Sequence, residues 1–372
     1  MVKSVHMNDP KVQEKIVEIE KEIRETSYHK GTEHHIGLLR AKLAKLRTDF
    51  YQGGGSGGGG RGFGVRKQGD ATIAIVGPPS VGKSTLLNMF ANTASTVGSY
   101  DFTTTQVIPG MMNLKGAKIQ LFDLPGLIDE GSLGKGGGKM ILSAARTTDL
   151  FLLVTDKGNF SRFQKIVKEL GRAGFRLNQS PPKIEIKKTF RGSIKIIDPF
   201  RSFPQETVRK VVEEFGHKNA EVIFREPIKN LDLLIDALSK NRKYISAITV
   251  INKSEDLKEA DKIKMTKIIG DPVFISAHKG EGIADLKERI WKKLSFIRIY
   301  LKRHEKQRPE KDPLIINKGI GIKKMVEKIN SDWTELVTSA LVWGKKVKFP
   351  GQKVSLNYRP EDGDIIYLVK RF

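Results

Sequence analysis

The chain contains no cysteine. That absence removes disulfide bridges, thiol nucleophiles and thiolate-bound zinc at once. Its 7 histidines do not by themselves make a conventional structural zinc site, and His34 and His35 read as exposed helix residues rather than as ligands. No stretch approaches the roughly 18 consecutive apolar residues that a membrane span needs. The opening MVKSVHMNDPKVQEK lacks the apolar run of a secretion signal. The expectation is a cytoplasmic protein with no membrane partner. Acidic residues are scarce as well: 42 Asp+Glu against 66 Lys+Arg leave a net charge of +24. Such an excess disfavours self-association and suggests a polyanionic partner, nucleic acid or a phosphorylated ligand. The chain of 372 residues, 38% hydrophobic and 29% charged, suits two to four globular domains at about 100–200 residues each.

Proline is absent from Val12 to Leu46. Ile16, Ile19 and Ile23 share one helical face, His29-Lys30-Gly31-Thr32 interrupts, and Ile36, Leu38, Leu39, Leu43 and Leu46 resume, a pattern predicting two helices folded back as a hairpin. The run Gly53-Gly54-Gly55-Ser56-Gly57-Gly58-Gly59-Gly60 reads as a flexible linker that closes a first segment, residues 1–69. Beyond it, Ala71 to Val76, Ile119 to Phe122 and Leu150 to Val154 are short β-rich runs separated by helical spacing, which predicts an α/β fold with a mostly parallel sheet. The next such run, Ala247 to Ile251, arrives late. The sequence between, 160–243, reads as an inserted α+β domain with strand signals at Lys183–Thr189 and Ser193–Ile197 and a helix at Gln205–Phe215. It divides the α/β domain into 70–159 and 244–295. From 296 to 372, a helix around Ile322–Ile329 with short strands at Ile297–Leu301, Ala340–Trp343, Val354–Leu356 and Asp364–Val369 suggests a β-grasp module.

The first strand run ends at Gly77-Pro78-Pro79-Ser80-Val81-Gly82-Lys83-Ser84, and a helical pattern follows from Thr85. G-x-x-x-x-G-K-[ST] between strand and helix is a P-loop: its backbone N–H groups wrap a phosphate at a helix N-terminus. Lys83 brings charge to the β- and γ-phosphates, and Ser84 offers a hydroxyl to Mg²⁺. Asp123-Leu124-Pro125-Gly126 has the D-x-x-G spacing that sets a carboxylate near Mg²⁺, through water, and a glycine N–H near the γ-phosphate. In Asp101-Phe102-Thr103-Thr104-Thr105, Thr104 is the expected switch ligand to Mg²⁺. Asn252-Lys253-Ser254-Glu255 stands where guanine-binding proteins carry N-K-x-D, and Ser276-Ala277-His278 where they carry S-A-K. Glu255 replaces the expected Asp, so an ATPase remains an alternative to a GTPase. The glycine-rich 131–139, just beyond Gly126, reads as a second switch.

With these motifs, the stretches Gly31–Leu39, Ala41–Arg47, Arg176-Leu177-Asn178 with Pro181-Pro182, Asn241-Arg242-Lys243-Tyr244 and Ala340–Gly344 make the chain resemble the developmentally regulated GTP-binding (DRG) proteins, within the Obg-type GTPases, over nearly its full length. The resemblance implies a P-loop GTPase domain with a helix-turn-helix-like N-terminal segment, an S5D2-like insertion and a C-terminal TGS domain. It also implies ribosome association in translation and a dedicated regulatory protein partner. Leu127 follows Gly126, where a Ras-like enzyme has the glutamine that orients the attacking water, so slow GTP hydrolysis is expected. K⁺ is a candidate second cofactor, although Ser80 stands where potassium-activated relatives carry Asn.

Dividing the charge at these boundaries gives +5 for 1–69, 0 for 70–155, +9 for 156–245, +2 for 246–296 and +8 for 297–372. The nucleotide-binding halves are nearly neutral, and the excess belongs to the attached segments. A switch that grips ribosomal or other RNA through those segments is one reading. A GTP-dependent scaffold for a protein partner, without RNA contact, is the other.

Overall fold

The computed structural model describes residues 10–27, 29, 31–52, 68–91, 109–124, 144–239 and 241–371. In chain order the elements are α1 (Pro10–Glu25), α2 (Glu33–Gln52), β1 (Ala71–Val76), α3 (Lys83–Ala91), β2 (Pro109–Leu114), β3 (Ala117–Asp123) and β4 (Leu150–Thr155). Then come α4 (Phe160–Arg172), β5 (Phe175–Leu177), β6 (Ile184–Lys188), β7 (Ile194–Ile197), α5 (Gln205–Glu214), β8 (Ala220–Phe224), α6 (Leu231–Leu238) and β9 (Lys243–Ile251). The chain finishes with α7 (Glu259–Ile269), β10 (Val273–Phe274), α8 (Ile283–Leu294), β11 (Phe296–Lys302), β12 (Leu314–Asn317), α9 (Ile322–Ile329), α10 (Trp333–Leu336), β13 (Val337–Trp343), β14 (Gln352–Val354) and β15 (Ile365–Lys370). They form two compact units, one from residues within 1–64, 126–146 and 161–246, the other from 65–125, 147–160 and 247–372.

The second unit holds the main sheet, in the order β10-β9-β4-β1-β3-β2. β1 is parallel to both β3 and β4. Every residue of β1 and of β4 is buried, which explains why both read as continuous apolar runs: a central parallel strand has helices on both faces and no solvent side to mark with polar residues. β2 has no such signature in the sequence. It joins antiparallel to β3 through a two-residue turn at Lys115 and Gly116, with φ of +52° and +91°, the backbone that a tight right-twisting hairpin demands. A side chain at 116 would also put its Cβ 2.7 Å from Pro313 Cγ.

In the same unit, β12-β11-β15-β13-β14 form a mixed five-stranded sheet. Ile297, Ile299, Ile316, Ile322, Met325, Val326, Ala340, Val342 and Ile366 close its core. The strand expected at Val354–Leu356 differs from the sequence reading. Strand pairing stops at Val354, opposite Ala340, and the chain leaves the sheet so that the carbonyls of Leu356 and Tyr358 accept from the N–H groups of Lys323 and Ile322 at 2.9 and 3.0 Å. The first N–H groups of α9 have no partner inside the helix, and this detour satisfies two of them.

The first unit contains α1 and α2 with the three-stranded sheet β6-β8-β7. Val208, Val211, Val212, Leu231, Leu234 and Ile235 from α5 and α6 pack with Ala41 and Ala44 of α2 and with Val222 and Phe224 of β8. The predicted helix break at 29–32 is present, and the two helices are joined by an ion pair of Glu20 with Arg47 at 2.6 Å and a hydrogen bond between Glu22 Oε1 and His35 Nε2 at 2.8 Å. His34 is not the exposed residue expected: it is half-buried, with Nδ1 3.1 Å from Thr207 Oγ1, because α2 packs on α5. β5 extends the first residues of β9 in parallel, so β9 starts at Lys243, earlier than its apolar run shows. β5, β8 and α6 were also silent in the sequence, being short or lacking a clear period.

Candidate nucleotide-binding site

The site lies in the second unit, at the carboxyl ends of β1, β3, β4 and β9, where the loops of a parallel sheet converge. The P-loop leaves β1 at Gly77, where an added Cβ would sit 2.0 Å from the Val154 carbonyl oxygen. Only glycine fits that crossing. Ser80 and Gly82 have φ of +62° and +88°, the left-handed turns by which the loop feeds α3. Lys83 opens the helix, and its Nζ donates to the Pro78 carbonyl at 2.9 Å. Ser84 and Thr85 are exposed at the same end.

Asn252 joins three loops. It is buried, its Nδ2 donates to the Val81 carbonyl at 2.8 Å, and its Oδ1 accepts from the Ala277 N–H at 2.9 Å. A Cβ on residue 82 would lie 2.3 Å from that Nδ2, so glycine at 82 and asparagine at 252 require each other. Lys253, in the left-handed conformation with φ of +57°, donates to the Ser80 carbonyl at 3.0 Å and to Asp156 Oδ2 at 2.7 Å. Asp156, at the end of β4, also accepts from the Asn159 backbone and side chain at 2.9 and 2.8 Å. Burial pushes its carboxyl up, but Lys253 and Asn159 outweigh that and hold it below the ordinary 3.8.

Asp156 is the site residue that motif reasoning missed. Its one sequence signal was a carboxylate just beyond the apolar run Leu150–Val154.

The loop 276–280 is closed by Ser276, whose carbonyl accepts from Gly280 N–H at 2.8 Å and whose Oγ accepts from Lys279 N–H at 3.2 Å. Glu255 is exposed on the facing loop. Its own backbone N–H first, and then the Ser276 hydroxyl with Lys279 and His278, hold its carboxyl below the usual glutamate value, so it is ionised at neutral pH.

Asp123 has a buried Oδ1 that meets no hydrogen-bond partner among the described residues. Burial pushes its carboxyl up, while the Lys83 charge and the Ser84 hydroxyl pull it back. A buried, unpaired carboxylate oxygen next to a serine hydroxyl is the oxygen donor set that suits Mg²⁺. Gly77, Ser80, Val81, Gly82, Lys83, Ser84, Asp123, Asn252, Lys253, Ser276 and Ala277 thus converge, with Thr85, Glu255 and His278 at the rim. Thr104 and Gly126 lie outside the described residues, as do the linker and the glycine-rich 131–139 segment.

Two family models match, one described as "50S ribosome-binding GTPase" over residues 72–188 and one as "C-terminal region of MMR_HSR1 domain" over 191–296. An uncharacterized GTP-binding protein of Methanocaldococcus jannaschii is 44% identical over 96% of this chain and 93% of its own length. Developmentally-regulated GTP-binding protein 1 of Xenopus laevis is 39% identical over 96% of the chain and 98% of its own. Developmentally-regulated GTP-binding protein 2 of Homo sapiens is 38% identical over 96% and 99%. Among solved structures, the Schizosaccharomyces pombe YchF GTPase aligns with a TM-score of 0.43 at 15% identity, over 82% of this chain and 98% of that one. With P-loop, D-x-x-G, asparagine-lysine and serine-alanine elements at successive strand ends, and this identity across almost the whole length, the chain belongs to the developmentally regulated GTP-binding protein family of P-loop GTPases.

Proposed function

We propose that this protein is a slow GTPase switch that binds ribosomal or other RNA through its basic accessory segments: the helical 1–69, an S5D2-like domain at 160–243 and a TGS domain at 296–372. The observation that carries the reading is the division of charge, with +9 in 156–245 and +8 in 297–372 against 0 in 70–155 and +2 in 246–296. Phosphate neutralisation needs lysine and arginine where the nucleic acid lies, not around the nucleotide. The description of the matched family model as ribosome-binding agrees with it.

Within the site, the P-loop N–H groups of 80–85 and Lys83 hold the phosphates. Asn252 and Lys253 fix the loops, Glu255 accepts from the guanine edge, and the Ala277 region closes over the base beside Ser276 and His278. Ser84 and Asp123, the latter through water, would hold Mg²⁺ together with Thr104, and the bound ion would supply charge neutralisation at the β- and γ-phosphates. Lys83 offsets charge developing on the transferred phosphoryl group, and by the D-x-x-G spacing the Gly126 N–H would be a second donor to it. Leu127 has no group to orient water, so basal turnover is expected at or below about 10⁻⁴–10⁻³ s⁻¹. A purified protein that turns GTP over rapidly without a partner contradicts this.

Glu255→Asp is expected to raise GTP affinity over ATP by about fivefold, since one guanine hydrogen bond of roughly 1 kcal/mol is restored when the extra methylene is removed. Calorimetric titration with both nucleotides reads it; equal wild-type affinities for GTP and ATP would defeat the guanine assignment.

Co-sedimentation with ribosomes in GDP and in a non-hydrolysable GTP analogue, across a salt series, tests the switch. Binding is expected to depend on nucleotide and to fall steeply with salt. Ribosome binding retained after deletion of both 160–243 and 296–372 overturns the proposal and favours a protein scaffold.

A further inference from the structure

The segment from Lys187 to Lys195 carries four basic residues, Lys187, Lys188, Arg191 and Lys195, and no acidic one. Its middle, 189–193, connects β6 to β7 across the end of β8, because the strand order is β6-β8-β7. At its tip stands Phe190, 103% exposed. In the same unit Phe163, Phe175 and Phe224 are buried, at 5%, 1% and 2%, and Phe200, also exposed, is at 44%. A bare phenyl ring on an exposed turn buries no apolar surface and so contributes nothing to the core.

The backbone of the turn is nonetheless tethered beside β8. Thr189 N–H donates to the Asn219 carbonyl at 3.3 Å, and Asn219 Nδ2 donates back to the Phe190 carbonyl at 3.5 Å. Gly192, with φ of +108° and open space around it, makes the turn that returns the chain to β7. Lys187 and Lys195 are partly neutralised by Glu185 and Glu221, at 3.7 and 3.4 Å. Lys188 and Arg191, flanking the ring, are exposed and form no ion pair among the described residues.

A solvent-facing aromatic ring flanked in sequence by two cations that form no ion pair among the described residues is complementary to a nucleotide: a π-face for the base and positive charge for the phosphates on either side. We propose that the 187–195 turn binds single-stranded RNA, with an unstacked base on the Phe190 ring and adjacent phosphates on Lys188 and Arg191. Paired bases present no free face, so the turn selects unpaired segments over duplex. The inference rests on the reading of the accessory segments as RNA-binding and assigns the contact to one turn of the inserted region.

The test uses the full chain and a fluorescent twelve-nucleotide single strand of mixed sequence, with its duplex and a glutamate-rich peptide as alternatives, followed by anisotropy across a salt series. Phe190→Ala is expected to weaken single-strand binding about tenfold, within the roughly five- to 150-fold range of one base–aromatic stack, with the salt slope unchanged. Phe190→Tyr should restore it. Lys188→Gln with Arg191→Gln should make the plot of log affinity against log salt shallower by about 1.4, at about 0.7 per phosphate. Unchanged GTP affinity and thermal midpoint in each variant show that the fold is intact. If the wild type binds RNA and Phe190→Ala binds within twofold of it, this inference fails alone. If the duplex, or the acidic peptide, shows the same dependence on Phe190, the assignment to unpaired RNA is wrong. If the wild type binds no RNA at any salt, the wider reading fails and the inference with it.

Discussion

Asn252→Ala is expected to lower affinity for both GTP and GDP by about 100-fold while leaving the thermal midpoint of the first unit in place. The side chain is almost fully buried, at 4% exposure, and both of its polar atoms are used, Nδ2 on Val81 and Oδ1 on Ala277. Removing it strands a carbonyl and an N–H in a dry site. At about 1–3 kcal/mol per stranded group, the loss is about 3 kcal/mol or more, and about 1.4 kcal/mol is tenfold in affinity. The loss falls on binding because the P-loop and the 276–280 loop, no longer joined, must be ordered by the nucleotide itself. Asn252→Asp is expected to be no better: it keeps an acceptor for Ala277 but sets a second oxygen against the Val81 carbonyl. Titration calorimetry measures both variants, and affinities within threefold of the wild type would show that Asn252 does not join these loops.

The second large effect belongs to the first unit and to stability. Asp236 on α6 is buried at 6% exposure and faces Arg176 with Nε and Nη2 at 2.5 and 2.6 Å, and Arg242 with Nε at 2.6 Å. Arg146 joins by donating to the carbonyls of Asn241 and Ala173 at 2.7 and 3.0 Å and stacking over Phe175 at 5.4 Å. Burial depresses the guanidinium pKa of Arg242, Asp236 partly restores it, and neighbouring Arg176 lowers it again. The Tyr244 hydroxyl beside them is pushed up to about 12, by burial first and then by Asp236. One carboxylate therefore serves two close arginines.

Asp236→Ala leaves those cations buried without a counter-charge, and breaking a buried pair from one side costs about 3–5 kcal/mol. A lowered denaturation midpoint is expected, seen by circular dichroism, with protease cleavage entering within 161–246 before 247–371. GTP affinity of the variant below its transition should be unchanged, because no residue of the nucleotide site belongs to this cluster. A midpoint equal to that of the wild type would remove the cluster from the account of stability.

Different parts of the molecule were legible for different reasons. β1 and β4 announce themselves because complete burial leaves no alternative to apolar residues, and the P-loop because a phosphate cradle admits glycine where a Cβ would strike Val154 or Asn252. The α1–α2 pair was legible from its period of helical spacing. β2 was not, since an edge strand beginning Pro109-Gly110-Met111 has neither alternation nor an apolar run. β14 was misplaced by two residues because the N–H groups of α9 compete with the sheet for the carbonyls of 356 and 358. The resemblances at Arg176-Leu177-Asn178 and Asn241-Arg242-Lys243-Tyr244 were visible as strings of letters. That they meet on one buried aspartate, separated from them in sequence, was not.

The absence of cysteine excluded thiol chemistry, and the order of motifs along the chain determined by itself that this is a P-loop GTPase-like sequence with basic additions. Local rules suffice there, because each motif lies within a few residues of a single strand end. Tertiary structure alone decided which loops Asn252 joins and that Asp156 anchors Lys253, and, among the described residues, that a buried oxygen of Asp123 keeps no partner and that Phe190 stands in solvent between two cations in no ion pair. Those facts depend on groups distant in sequence meeting, or failing to meet, in an interior where an unpaired polar atom is costly, and sequence spacing carries no record of such encounters.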